Sequence, residues 1–185
     1  MQSLENQVTN KIIGITGHSR IYFDSKSDKD FDLKCVKIKN YLSKNGKNSS
    51  KSIEGRGIIV YSNQDASNQE ITKIVKVMGV SNTPTLFEKL NINYKNYNEF
   101  RNKILIGREL AKHLEIKHIQ NNRVSLFSPL DSKIFLQFST FEVLSEKFDI
   151  LDINAIDKIS ENYVFIDYEE AKMIFSGSRP YISID

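Results

Sequence analysis

The residue types that could do chemistry fall into five groups, and each must meet a geometric template. The first is a glycine pair behind a short apolar run, Lys11-Ile12-Ile13-Gly14-Ile15-Thr16-Gly17. A phosphate-cradling loop needs G-x-x-x-x-G-K-[ST], and a dinucleotide loop needs G-x-G-x-x-G. Counting from Gly14 puts Ser19 where the second phosphate-loop glycine belongs, and counting from Gly17 puts Tyr22 there. The residues that follow, Ile21-Tyr22-Phe23, prefer a strand. Phosphate binding asks instead for a helix whose amides face the anion. The stretch therefore reads as a hairpin, with strands over 11–15 and 20–24 around a turn at 16–19.

Metal templates fail for similar reasons. Asp28, Asp30 and Asp32 imitate the start of a calcium loop. Leu33 occupies the place of the required glycine, and Lys39 that of the bidentate glutamate. The three histidines are His18, His113 and His118, and the last two are spaced too far apart for an H-E-x-x-H site. His113 reads as the end of a helix, where an imidazole suits the dipole. Cys35 is the one cysteine, which excludes an intramolecular disulfide and a cysteine-based zinc site. Its apolar context reads as a core thiol, and a reducing, cytoplasmic setting suits it.

Nucleophilic catalysis needs an activated serine or cysteine with an oriented base. Ser176-Gly177-Ser178 is not a nucleophile elbow. Asp167, Glu169 and Glu170 form the densest acidic cluster. They would act as an acid–base pair only if burial separated their pKa values, and an exposed helix start accounts for them more simply. No catalytic residue, cofactor site or metal site is assigned. One interaction surface is: Tyr94 and Tyr97 interleave with Lys89, Lys95, Arg101 and Lys103. Aromatic rings among cations are what a single-stranded nucleic acid requires, and packing of the rings on adjoining helices is the alternative. The basic residues Lys44, Lys47 and Lys51 would extend this surface if the fold brought them near.

The elements that must position these groups follow from pattern. Residues 1–10 are polar and read as a flexible N-terminus, and 11–185 as one domain. Val36 and Ile38 alternate with lysines, which favours a strand within 32–42. Phe31, Cys35, Ile38 and Leu42 would equally fit a helix face. A long basic loop, 43–52, leads to a strand over 53–62. Ser67 and Glu70 make a capping-box pair, and Ile71, Ile74, Val75 and Met78 recur at helical spacing before Gly79. This predicts a first helix. A second opens at Asn82-Thr83-Pro84, and a third covers 98–114. Asn121-Asn122 and Pro129-Leu130-Asp131-Ser132 predict turns between strands. A short helix over 154–160, a strand at 162–168, a helix at 169–175 and a strand at 180–184 complete the chain. Strands in runs around a central cluster of about three helices argue for α+β with a mostly antiparallel or mixed sheet.

Composition bounds the function. The net charge is +3 and the pI near 8.8. That permits a polyanionic partner without demanding one. Mean hydropathy is −0.39, no apolar run reaches the ~18 residues of a membrane span, and the first residues lack a signal-peptide layout. The expectation is a non-enzymatic interaction or assembly module, a structural component of a larger complex such as a virus or phage particle or a cellular assembly, with a protein partner or self-association. The alternatives are a nucleic-acid-binding accessory protein and an enzyme without a recognisable motif.

Overall fold

The computed structural model describes residues 19–23, 27–62, 70–81, 86, 101–116, 123–129, 131–144, 162–175 and 177–184. The protein is α+β. Among the described residues, eight strands form one mixed sheet: β1 (Ser19–Tyr22), β2 (Ser49–Ser62), β3 (Glu70–Val80), β4 (Lys103–Gly107), β5 (Arg123–Ser128), β6 (Asp131–Leu144), β7 (Tyr163–Asp167) and β8 (Tyr181–Ile184). Their order is β1-β8-β2-β3-β7-β4-β6-β5. The β3–β7 and β4–β6 pairs are parallel and the rest antiparallel. β5 also pairs with β2, so six strands close into a hydrogen-bonded ring. Each of those strands is thereby paired on both sides over part of its length, β3 meeting β7 only through Lys76–Val80. β8 and β1 extend outward from the first half of β2.

The strands present two faces. On the inner one, Ile53, Ile59, Val75, Val77, Ile104, Ile106, Val124, Leu126, Val164 and Ile166 make a continuous core. Helices with described bounds pack on it: α1 (Asp28–Lys44), α2 (Arg108–His113) and α3 (Tyr168–Ile174). α1 contributes Phe31 and Cys35, and α3 contributes Ala171 and Ile174. Cys35 is buried, and loss of solvation pushes its thiol up to about 11, with Lys51 opposing and Asp32 assisting. It is a core thiol.

Several expected elements change identity. The region expected to hold a strand is helix α1. The Ser27 hydroxyl accepts from the Asp30 N–H at 3.3 Å, a cap that starts it. At the other end the Lys47 N–H reaches the Leu42 carbonyl and the Gly46 N–H reaches that of Ser43, with Gly46 at φ 67°. That is a Schellman stop, and it shortens the expected basic loop. Lys51 lies within β2 and pairs with Asp32 of α1 at 2.6 Å, while Asp30 pairs with Lys34 at 2.8 Å. The aspartates that imitated a calcium loop therefore belong to a helix start.

The expected first helix is β3 over its described part. Its eleven residues hold six β-branched side chains, Ile71, Thr72, Ile74, Val75, Val77 and Val80, which pack more readily in a strand. Antiparallel pairing with β2 across the whole of β3 then overrides the helical spacing. The expected third helix splits into β4 and the short α2, with His113 in its last turn. Arg123–Ser128 and Asp131–Leu144 pair as an antiparallel hairpin, with Pro129 in the expected turn. The strand and helix near the C-terminus stand as β7 and α3, and the terminal strand as β8. The first strand and turn of the opening hairpin, the turn at Asn121-Asn122 and the helix at 154–160 lie outside the described residues. So do Asn82, Thr83 and Pro84. The described part of the opening stretch, β1, pairs with β8.

The switch from helix to strand decides which side chains are inside. Ile74 is 65% exposed, whereas a Cβ on Gly79 would collide with that of Ala171 and lie 2.9 Å from Ile53 Cγ2. Gly79→Ala is expected to cost about 1–3 kcal/mol through overpacking. Ile74→Ala should stay within about 0.5 kcal/mol. Chemical denaturation checks the ordering, and the reverse order would restore the helical reading of this segment.

Candidate functional site

Cross-strand partners share a face, so the register lays out the outer side of the sheet in rows. Glu54 of β2 stands beside Met78, then Phe165, then Leu105. The last three are buried. Two residues along, Arg56 stands beside Lys76 and then Tyr163. Two further, Phe127, Ile58 and Ile74 lie side by side. The face thus grades from buried apolar, through a charged row, to an exposed apolar row.

Glu54 is the electrostatic hinge of this surface. Arg20 grips both its oxygens, at 2.8 and 3.1 Å, and the Tyr181 hydroxyl donates to Oε1 at 2.8 Å. The Arg20 guanidinium also sits 4.8 Å from the centre of the Tyr181 ring, and Tyr22 packs on the same ring at 5.2 Å. Burial works against the Arg20 charge, but Tyr181, Tyr22 and Glu54 together outweigh it and hold its pKa above the ordinary value. Tyr181 is 1% exposed. Burial, then the Glu54 charge, raises its hydroxyl well above the usual tyrosine range. It remains a donor.

Next to this cluster is a groove of about 220 Å³, bordered by Glu54, Gly55, Arg56, Lys76, Val77 and Tyr163. Arg56 and Lys76 are exposed. The Lys76 ammonium lies 5.2 Å from the centre of the Tyr163 ring and 3.5 Å from its hydroxyl, and Tyr163 stacks on Phe165 at 6.5 Å.

Of the surface expected from sequence, Lys89, Tyr94, Lys95 and Tyr97 lie outside the described residues. Arg101 is exposed in a turn and Lys103 begins β4. The acidic cluster divides. Asp167 caps α3, accepting from the Glu169 N–H at 2.9 Å, and Glu169 is exposed, as a helix start requires. Glu170 is instead buried, at 5% exposure. Its Oε1 accepts from the Asn102 N–H at 2.6 Å, and its buried Oε2 has no hydrogen-bond partner among the described residues. Burial raises its pKa most. Asp167 adds to the rise, while Asn102 and Arg101 oppose it. Among the described residues, no group of three His, Cys, Asp or Glu side chains could hold a metal ion, and no helix is long and apolar enough to cross a membrane.

Both clusters hold a proton more tightly in the folded state, Glu170 in the acidic range and Tyr181 in the alkaline range. For a carboxyl raised on folding, the native state keeps its proton over an interval in which the unfolded chain has lost it. The Glu170 contribution is therefore most favourable below the ordinary glutamate pKa. It declines as pH rises to the raised native value and is level beyond. Glu170→Gln keeps an oxygen for the Asn102 N–H, and should flatten that part of the curve of melting temperature against pH. At the other cluster, spectrophotometric titration should show Tyr181 ionising only at higher pH than an exposed tyrosine. An unchanged slope in Glu170→Gln would remove Glu170 as its source.

No protein-family profile matches the chain, and no curated protein matches it. A solved structure, the periplasmic region of MacB from Actinobacillus actinomycetemcomitans, is similar at a TM-score of 0.49 with 14% identity, over 95% of this chain and 78% of that one.

Proposed function

We propose that the protein is a non-enzymatic interaction module, a structural component of a larger assembly, which meets a protein partner through the outer face of its sheet. The observation that supports this most is Ile74. It stands 65% exposed in a row with half-buried Ile58 and Phe127, directly beside the charged row of Arg56 and Lys76. Protein interfaces have this anatomy, an apolar centre rimmed by polar groups. Strand pairing makes the surface rigid, which lowers the entropy lost on docking. A reducing, intracellular setting belongs to the same proposal and suits the buried thiol of Cys35.

The partner is sought by capture from the native source with Ile74 as the probe. Ile74→Gln should sharply reduce recovery of the partner while changing stability by less than about 1 kcal/mol. If the partner is a second copy, light scattering should show the oligomer dissociate in the same variant. Undiminished recovery and an unchanged oligomeric state in Ile74→Gln would overturn the proposal.

A further inference from the structure

We propose that the groove between Arg56, Lys76 and Tyr163 receives a carboxylate from an acidic segment of the protein partner. This rests on the interaction reading above and adds the chemistry of the partner. Arg56 and Lys76 are direct cross-strand partners, and like charges placed directly opposite destabilise a sheet. Among the described residues, the carboxylate in the adjoining row of the same face, Glu54, is already engaged through both oxygens by Arg20 and through Oε1 also by Tyr181. Its charge is therefore spent on Arg20, and among the described residues that line the groove the two cations keep a net positive field. An incoming carboxylate would relieve their repulsion, accept from both cations, and find the Tyr163 hydroxyl beside Lys76. A guanidinium presents a fork that matches a carboxylate. The exposed Ile74 one row away would hold an apolar residue next to the acidic one.

A nucleic acid fits these observations less well. Strand binding uses aromatic rings as stacking platforms, and the Tyr163 ring is already engaged by the Lys76 ammonium and by Phe165. The groove, at about 220 Å³, suits one side chain better than a run of bases.

Fluorescence anisotropy of the full chain with a labelled peptide of glutamates interspersed with leucines tests this. The controls are the same peptide with glutamine for glutamate, and a labelled oligothymidylate. The parent should bind the acidic peptide at least about tenfold more tightly than either control. Arg56→Gln combined with Lys76→Gln should erase that difference. Each single variant should also melt about one to three degrees higher than the parent, as repulsion is removed. Equal binding of the glutamine peptide, tighter binding of the oligonucleotide, or full binding by the double variant would each overturn the proposal. So would a lower melting temperature in both single variants. The native partner separates this from the broader reading. Recovery lost in Ile74→Gln but kept in the double variant leaves the interaction face standing and removes the acidic segment.

Discussion

The fold depends on one strand having to serve three neighbours. β2 holds β3 along one edge for most of its fourteen residues, while on the other edge its first half pairs with β8 and its second half with β5. The change of partner is what lets six strands close while two more splay outward. It also demands room on the inner face where the strand crosses over. Gly55 and Gly57 supply that room. A Cβ on Gly55 would lie 2.6 and 2.7 Å from Phe175 ring atoms, and one on Gly57 2.8 Å from Val77 and 2.9 Å from Leu126. Interiors packed to crystal density do not absorb such an intrusion cheaply.

With the inner face committed to the helices, the outer face becomes the surface on which charge and apolar groups can be displayed. Its chemistry is set by Glu54. Arg20 and Glu54 are each about one-third exposed on their side chains, so the ion pair itself contributes little to stability. Its larger effect is on the neighbours. By engaging the carboxylate, Arg20 leaves Arg56 and Lys76 facing one another across two strands. By donating to the same oxygen, Tyr181 ties β8 to β2 beyond the last ladder bond. One ion pair thus positions the outer ribbon and gives the groove its sign.

Glu170 does comparable work at the other end of the sheet. It reaches from α3 to the backbone of Asn102, which has a φ of 59° and directly precedes β4. A left-handed non-glycine residue costs free energy unless its surroundings fix it, and the short bond to a buried carboxylate is such a constraint. Because β4 lies between β7 and β6, the turn that delivers it sets how the ring closes. The buried carboxyl, with its raised pKa, makes the stability of this turn an expected function of pH.

The α+β class, the mixed sheet, β2 from Ile53 onward, the β5–β6 hairpin, β7, α3 and β8 are legible in the sequence, because their alternation and turn residues agree with their final setting. Two segments are not. Glu70–Val80 carries helical spacing and strand composition together, and its six β-branched residues were the signal that favoured the strand. Asp28–Lys44 carries strand-like alternation over four residues and a helical face over twelve, and the longer period was the better guide. In both, local pattern leaves a near balance that pairing with β2 or packing on the core decides. The candidate site is beyond local pattern altogether. Arg20, Glu54 and Tyr181 are separated by 34 and 127 residues, and Arg56, Lys76 and Tyr163 come from three strands. Sequence determines which of these residues carry charge or a ring. Only the register of β2 against β3 and β8, and of β3 against β7, decides which of them meet, because a shift of one residue would send every side chain to the opposite face.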